Sequence, residues 1–123
     1  MADADPLRGF DCAVATLDYP MLIATVASDS ERAGCLVGFA TQSSVRPRRF
    51  LICLSVRNRT FRLARSSGSL VVHALAREQD ELAELFGGAT GDEVDKFARC
   101  AWRPGWIREW RRGFKMRRQP GSN

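Results

Sequence analysis

The 123-residue sequence predicts a mainly β, α+β domain: an antiparallel barrel with short helices between its strands. Two observations lead there. Runs rich in apolar and β-branched residues recur with only short turns between them, which favours antiparallel neighbours. The helical stretches are brief and scattered, where a doubly wound sheet would alternate strands with longer crossover helices.

The elements follow in order. Phe10, Val14 and Leu17 recur at near-helical spacing and predict a short helix that stops before Tyr19-Pro20. Met21–Ala27 reads as a strand closed by the turn-forming run SDSERAG, and Cys35–Thr41 as the next strand. Gly38 interrupts that second strand, as it does where another group approaches the backbone closely. Pro47 breaks the chain before Phe50–Val56, a nearly continuous apolar run expected to be a buried strand. Asn58 is placed to cap a helix over Arg59–Arg65, and Ser67-Gly68 ends it. Leu70–Leu75 supplies a strand and Glu78–Phe86 a helix stopped by Gly87-Gly88. Asp92–Phe97 reads as a further helical turn.

Charge divides the chain. The formal net charge is +5, yet Arg103–Asn123 alone carries seven Lys/Arg against one Glu, which leaves −1 for residues 1–102. Bulk anion binding therefore does not describe the body. The four cysteines, Cys12, Cys35, Cys53 and Cys100, show no CxxC spacing, and His73 is the single histidine, so a zinc site is not expected. The acidic stretch Met1–Phe10 is unlike a signal peptide, and no apolar run approaches the ~20 residues of a membrane helix, so a cytoplasmic chain with reduced thiols is expected.

No GxGxxG, P-loop, HExxH or GxSxG occurs. The chain offers instead a small and hydroxyl-bearing stretch, Gly38-Phe39-Ala40-Thr41-Gln42-Ser43-Ser44, and, one strand later, the cluster Arg57-Asn58-Arg59-Thr60. Such a pair suits a polar planar ring with an anionic phosphate. Read alone, the first is an ordinary turn cluster and the second a solvated helix face. His73 reads as a core or pocket-wall residue, and Glu78, Glu81 and Glu84 as a solvating helix face.

The run GCLVGFATQSSVRPRRFLICLSVRNRTFRLARSSGSLVVHAL, followed by LAELFGG and GDEVDKF, resembles the flavin reductase-like branch of the FMN-binding split β-barrels from about Tyr19 to Gly105. The resemblance implies that the backbone of Gly38, Phe39 and Ala40 lines an isoalloxazine ring. Thr41, Gln42, Ser43 and Ser44 would face its pyrimidine edge and ribityl chain. Arg57, Arg59 and Thr60, with the amides of the helix opened by Asn58, would hold the phosphate. Phe86 would lie near the ring's reactive side. It further implies an NAD(P)H-dependent flavin reductase using FMN or FAD, a homodimer, and reduced flavin handed to a monooxygenase partner. Catalytic side chains and metals are not implied. A non-catalytic flavin-binding protein and a deazaflavin-using relative fit the same residues.

The resemblance stops at the RPG segment. Two units are accordingly expected: a partial split-barrel domain over residues 1–105 and a basic, divergent tail over 106–123, read as a truncated or frameshifted end. A rival reading makes the tail a basic amphipathic helix, with Trp106, Ile107, Trp110 and Phe114 on one side, that adapts the protein to nucleic acid or membrane. With the family reading, neither of those partners is expected.

Overall fold

The computed structural model describes residues 5–88, 90–103, 106–107 and 113–117, and places helix α1 at Arg8–Ala15 ahead of strand β1 at Leu22–Ser28. β2 runs from Glu31 to Val37, β3 from Ala40 to Ser44 and β4 from Arg49 to Ile52. Helix α2 (Arg59–Ser66), β5 (Ser69–Ala74) and helix α3 (Asp80–Gly88) follow, then a 3₁₀ turn at Lys96–Arg99. β6 (Trp102–Arg103), β7 (Trp106–Ile107) and β8 (Gly113–Arg117) complete the set.

Antiparallel pairing throughout builds a four-stranded sheet in the order β2-β1-β5-β8, and β3 and β4 form a separate hairpin. The expected antiparallel, mixed α and β architecture is present. Among the described residues, no helix is long and apolar enough to cross a membrane.

Register sorts the side chains into two layers, because residues directly opposite one another share a face. Ala24 opposes Cys35 and Val72, and Leu22 opposes Val37; this face forms one core cluster, covered by Ala40, Phe50 and Ile52 of the β3–β4 hairpin. Further along the same face, Val26 and Ala33 receive Leu63 and Ala64 of α2. Ile23 opposes Leu36 and His73 on the reverse face, where Leu82, Phe86 and Phe97 pack. The sheet is therefore a partition with an apolar layer on each side.

Several boundaries move for physical reasons. Ser28 pairs with Glu31 across a two-residue turn in which Asp29 takes a left-handed φ of 54°, a conformation that short acidic side chains tolerate. Glu31–Gly34 thus joins a strand instead of the expected turn. The strand expected over Cys35–Thr41 divides at Gly38-Phe39 into β2 and β3. β4 ends at Ile52, four residues before the expected end at Val56, and is not buried: Leu51 is exposed while Phe50 and Ile52 are half-buried, the alternation of a strand with one covered face. α3 continues through Gly87 and Gly88, and the turn expected over Asp92–Phe97 becomes the later 3₁₀ segment.

The rival reading of the tail as a helix is corrected: its described residues are strands. Trp106–Ile107 pairs with Trp102–Arg103, and Phe114 opposes Val72 at the edge of β5. An open edge of unpaired amides is a strong template for extended chain, and Gly113 weakens a helix there. Trp110 lies outside the described residues.

Gly34 fixes the spacing between β2 and α3. A Cβ there would stand 2.5 Å from Phe86 Cε1 and 3.2 Å from the Ala24 carbonyl oxygen, so the ring occupies the space a side chain would need. Gly34→Ala is expected to lower stability by about 1–3 kcal/mol, as overpacking does. Urea unfolding checks this; combining it with Phe86→Leu should cost less than the sum of the two single changes.

Candidate functional site

The two polar segments singled out in the sequence reach the same face of the sheet from different directions. β2 leaves the sheet after Val37, and the hairpin turns back so that Ala40, Phe50 and Ile52 rest against the Val37 and Cys35 layer. The amide of Cys53 donates to the Phe39 carbonyl at 2.9 Å and extends the hairpin ladder past β4. α2 descends onto that layer from the other end. Thr60 is buried at 2 % exposure, and it and Asn58 lie close enough to Cys35 to draw its thiol pKa down against burial. Cys35 and Val37, two residues apart on one strand face, therefore tie both segments together.

Within that frame the predicted residues differ in what they present. Thr41, Gln42 and Ser43 are exposed, Ser44 is half-buried, and Phe39 is 67 % exposed. Thr41 Oγ1 donates to the Gln42 carbonyl at 3.3 Å, and Gln42 Nε2 to the Ser44 carbonyl at 3.2 Å. Gly38 lies in the break between β2 and β3, where an added Cβ would meet only Met21 at an ordinary 3.7 Å. The chain's own packing does not demand glycine at that position.

Arg57 is exposed, and its carbonyl accepts from Arg62 Nη1 at 3.1 Å. Arg59 Nη1 donates to the Gly91 carbonyl at 3.1 Å, and Nη2 stands 3.5 Å from Glu31 Oε1. Asn58 occupies the N-cap of α2 with extended backbone, but its side chain makes no capping bond, contrary to the sequence reading. Phe86 is not brought to the other members. It is 1 % exposed in the layer on the reverse face, edge-on to Phe97 at 5.7 Å.

The sequence also left Lys96 unremarked. Its Nζ donates to the carbonyls of Gly34 at 3.0 Å and Phe86 at 2.8 Å, and the residue is 4 % exposed. Burial pushes its pKa down, while the nearby Cys35 pulls it up. A lysine in a polar turn such as GDEVDKF reads as solvated, so the sequence carries no signal of its burial. Lys96 lines a cleft of about 320 Å³ that also takes in Glu31, Arg32, Arg59 and Asp92. Arg32 stacks over Trp102 at 4.2 Å beside it. Of the residues the sequence singled out, this cleft contains only Arg59.

Burial raises the Cys35 pKa against the opposing effects of Thr60, Lys96 and Asn58, which keeps the thiol protonated and suits packing better than nucleophilic attack. His73 is fully buried, as expected for a core histidine, and shares a 2.8 Å hydrogen bond between Nε2 and Thr25 Oγ1. Among the described residues, no group of three or more His, Cys, Asp or Glu is arranged to hold a metal ion.

Against this geometry, the family description "Flavin reductase like domain" matches residues 14–115. The chain belongs to that family. It is 29% identical over 90 residues to the FMN reductase (NADH) RutF of Agrobacterium fabrum (strain C58 / ATCC 33970), covering 73% of this chain and 51% of the relative. It thus spans about half the length of the curated relative it matches. The FMN-binding protein of Thermus thermophilus superposes with a TM-score of 0.75 at 18% identity, covering 95% of this chain and 66% of that one. The NADH:FAD oxidoreductase SgcE6 of Streptomyces globisporus C-1027 gives 0.74 at 20% identity, with 94% and 72% covered. A homologue of nitrilotriacetate monooxygenase component B from Mycobacterium thermoresistibile gives 0.67 at 25% identity, with 78% and 52% covered.

Two buried bases carry predictions. Lys96→Met leaves the Gly34 and Phe86 carbonyls without their charged donor and should cost about 3 kcal/mol in urea unfolding. Desolvation lowers the His73 pKa from 6.5 to about 4. The folded chain therefore resists a proton that the unfolded chain accepts, so stability falls as pH drops below 6.5 and this loss levels off below about 4. That loss amounts to roughly 3 kcal/mol, and His73→Gln should remove it from the pH profile of unfolding.

Proposed function

We propose that this chain binds a flavin through the β3–β4 hairpin and the start of α2, as part of an NAD(P)H-dependent flavin oxidoreductase. The observation that carries the reading is the attachment of both segments to one strand face at Cys35 and Val37, which brings hydroxyls and amides to one end and guanidinium groups to the other. The chain's polar groups fit such a ligand. Thr41, Gln42 and Ser43 are exposed on the hairpin, Arg57 is exposed, and the α2 N-terminus carries no side-chain cap.

Gly38, Phe39 and Ala40 supply backbone groups for the ring, and Thr41, Gln42, Ser43 and Ser44 supply hydrogen bonds along the edge and ribityl chain. Arg57, Arg59, Thr60 and the amides at Asn58 and beyond orient the phosphate; Arg59 exchanges its long, partly exposed contact with Glu31 at small cost. Phe86 supports the sheet from behind. When bound, a flavin supplies hydride acceptance from a reduced nicotinamide.

The names of the relatives support FMN or FAD as flavin and NADH as donor. The component B homologue supports transfer of reduced flavin to a monooxygenase partner. In this reading the sheet and hairpin close as a split barrel over residues 1–105, residues 106–123 form a separate basic tail of which β8 pairs with β5, and the protein is a cytoplasmic homodimer.

Titration with FMN and with riboflavin, followed by quenching of flavin fluorescence, tests the assignment. Arg57→Ala, Arg59→Ala and Thr60→Ala should each weaken FMN by about tenfold or more, with riboflavin affinity little changed. Unchanged FMN affinity in all three removes the phosphate site. Anaerobic bleaching of bound flavin by NADH or NADPH is expected; its failure removes the reductase reading and leaves flavin binding.

A further inference from the structure

Two arginines of α2 reach the segment 90–95, and one of them has no part in the proposed flavin contacts. Arg59 and Arg62 stand three positions apart, on one side of the helix. Arg59 Nη1 donates to the Gly91 carbonyl at 3.1 Å, and Gly91 lies against the arginine's stem, where an added Cβ would stand 3.4 Å from Cδ. Arg62 Nη2 donates to both carboxylate oxygens of the neighbouring Asp92, at 2.8 and 2.7 Å.

Arg62 has a second hold. Its Nη1 donates to the Arg57 carbonyl at 3.1 Å, where the chain enters the helix. The same guanidinium thus fixes the main chain at Arg57 and the side chain of Asp92. Asp92 is itself placed by a turn, in which the amides of Glu93 and Val94 donate to the Thr90 carbonyl at 3.1 and 3.0 Å. These contacts form a ring through Arg57, Arg62, Asp92, Gly91 and Arg59, closed by the main chain from Arg57 to Arg59. Arg57 and Arg59 are the two guanidinium groups given to the phosphate.

Exposed ion pairs contribute little to stability, and the side chains of Arg62 and Asp92 are 50 and 54 % exposed. What such a ring supplies is geometry. An arginine side chain has several free torsions, and a phosphate that must order it loses affinity by the freedom removed. A guanidinium already held gives up less. Glu31 makes the contrast: its carboxylate stands 3.5 Å from Arg59 Nη2, outside the ring, and competes with a phosphate for that nitrogen.

We infer that Asp92 and Arg62 are positioning residues for the flavin phosphate. Asp92 holds the segment 90–95 on α2 so that Gly91 orients the Arg59 guanidinium, and Arg62 carries the same restraint to Arg57. The inference rests on the phosphate site of the preceding reading and adds to it residues outside its direct contacts. It also fixes a sign. A carboxylate near a phosphate repels it, so charge alone makes the removal of either Asp92 or Glu31 favourable to binding. Positioning gives the two acids opposite effects.

Titration of the full chain with FMN and with riboflavin, followed by flavin fluorescence, reads that sign. Asp92→Asn is expected to weaken FMN roughly three- to tenfold. Glu31→Gln should leave FMN equal or tighter, and riboflavin should change by less than about twofold with either variant. Arg62→Lys keeps the charge but cannot grip Asp92 and the Arg57 carbonyl together, so it should weaken FMN to a similar degree. Joining it to Asp92→Asn should add little, because both changes open one ring. Both side chains are exposed, so urea midpoints should stay close to that of the unaltered chain. FMN affinity that is unchanged or raised in either variant with its midpoint kept overturns the inference and leaves the phosphate site standing. An equal loss for riboflavin also overturns it, since the effect then lies elsewhere than at the phosphate. An unaltered chain that binds FMN no more tightly than riboflavin overturns the phosphate site, and the inference with it.

Discussion

The structure turns on one strand, β2, whose consecutive residues serve opposite sides of the sheet. Gly34 presents no side chain to the reverse face, so the Phe86 ring lies against the backbone, and its carbonyl accepts from the buried ammonium of Lys96. Cys35, one residue on, turns to the other face and lies close to Thr60 and Asn58. A register slip of one residue would drive a thiol into Phe86 and withdraw the anchor of α2. Both helices are thus positioned by the same two peptide units.

Lys96 shows why a charge is tolerated so deep. Its two acceptors are the Gly34 carbonyl of a strand and the Phe86 carbonyl near the C-terminal end of α3, where the helix dipole adds negative potential. One ammonium group joins the strand, the helix and the 3₁₀ turn that follows, at a place where an apolar side chain would leave both carbonyls without a partner. The cleft beside it is lined by charges of both signs, in contrast to the hydroxyl-lined hairpin around the other end of the sheet.

Much of this was legible in the sequence. α2 and β5 fall within a residue of expectation, because amphipathic spacing and flanking Ser-Gly chemistry are local properties. The flavin reductase-like family was also legible, from a string of segments in order and not from any one motif. What the sequence hid was cooperative. Nothing local says that Asp29 will adopt a left-handed φ and draw Glu31–Gly34 into a strand. Gly38 drew notice as the glycine inside an apolar run, whereas the glycine under steric constraint is Gly34, a fact that depends on a ring 52 positions away. The aromatic and basic character around Trp106 and Phe114 suits a helix or a strand equally; the open edge of β5 decides for strand.

The same dependence on edges and faces explains how charge is distributed. The sheet's two faces are occupied by its own helices and hairpin, and β8 lies along the edge of β5, so among the described residues the back of the hairpin and the apolar side of α1 are left outward. A hairpin that lends one face to the core has only its other face and its tip to offer a ligand or a partner. The absence of acids from Arg32 to Arg77 gives the hairpin tip, with Arg46, Arg48 and Arg49, and the start of α2, with Arg57 and Arg59, one sign of charge.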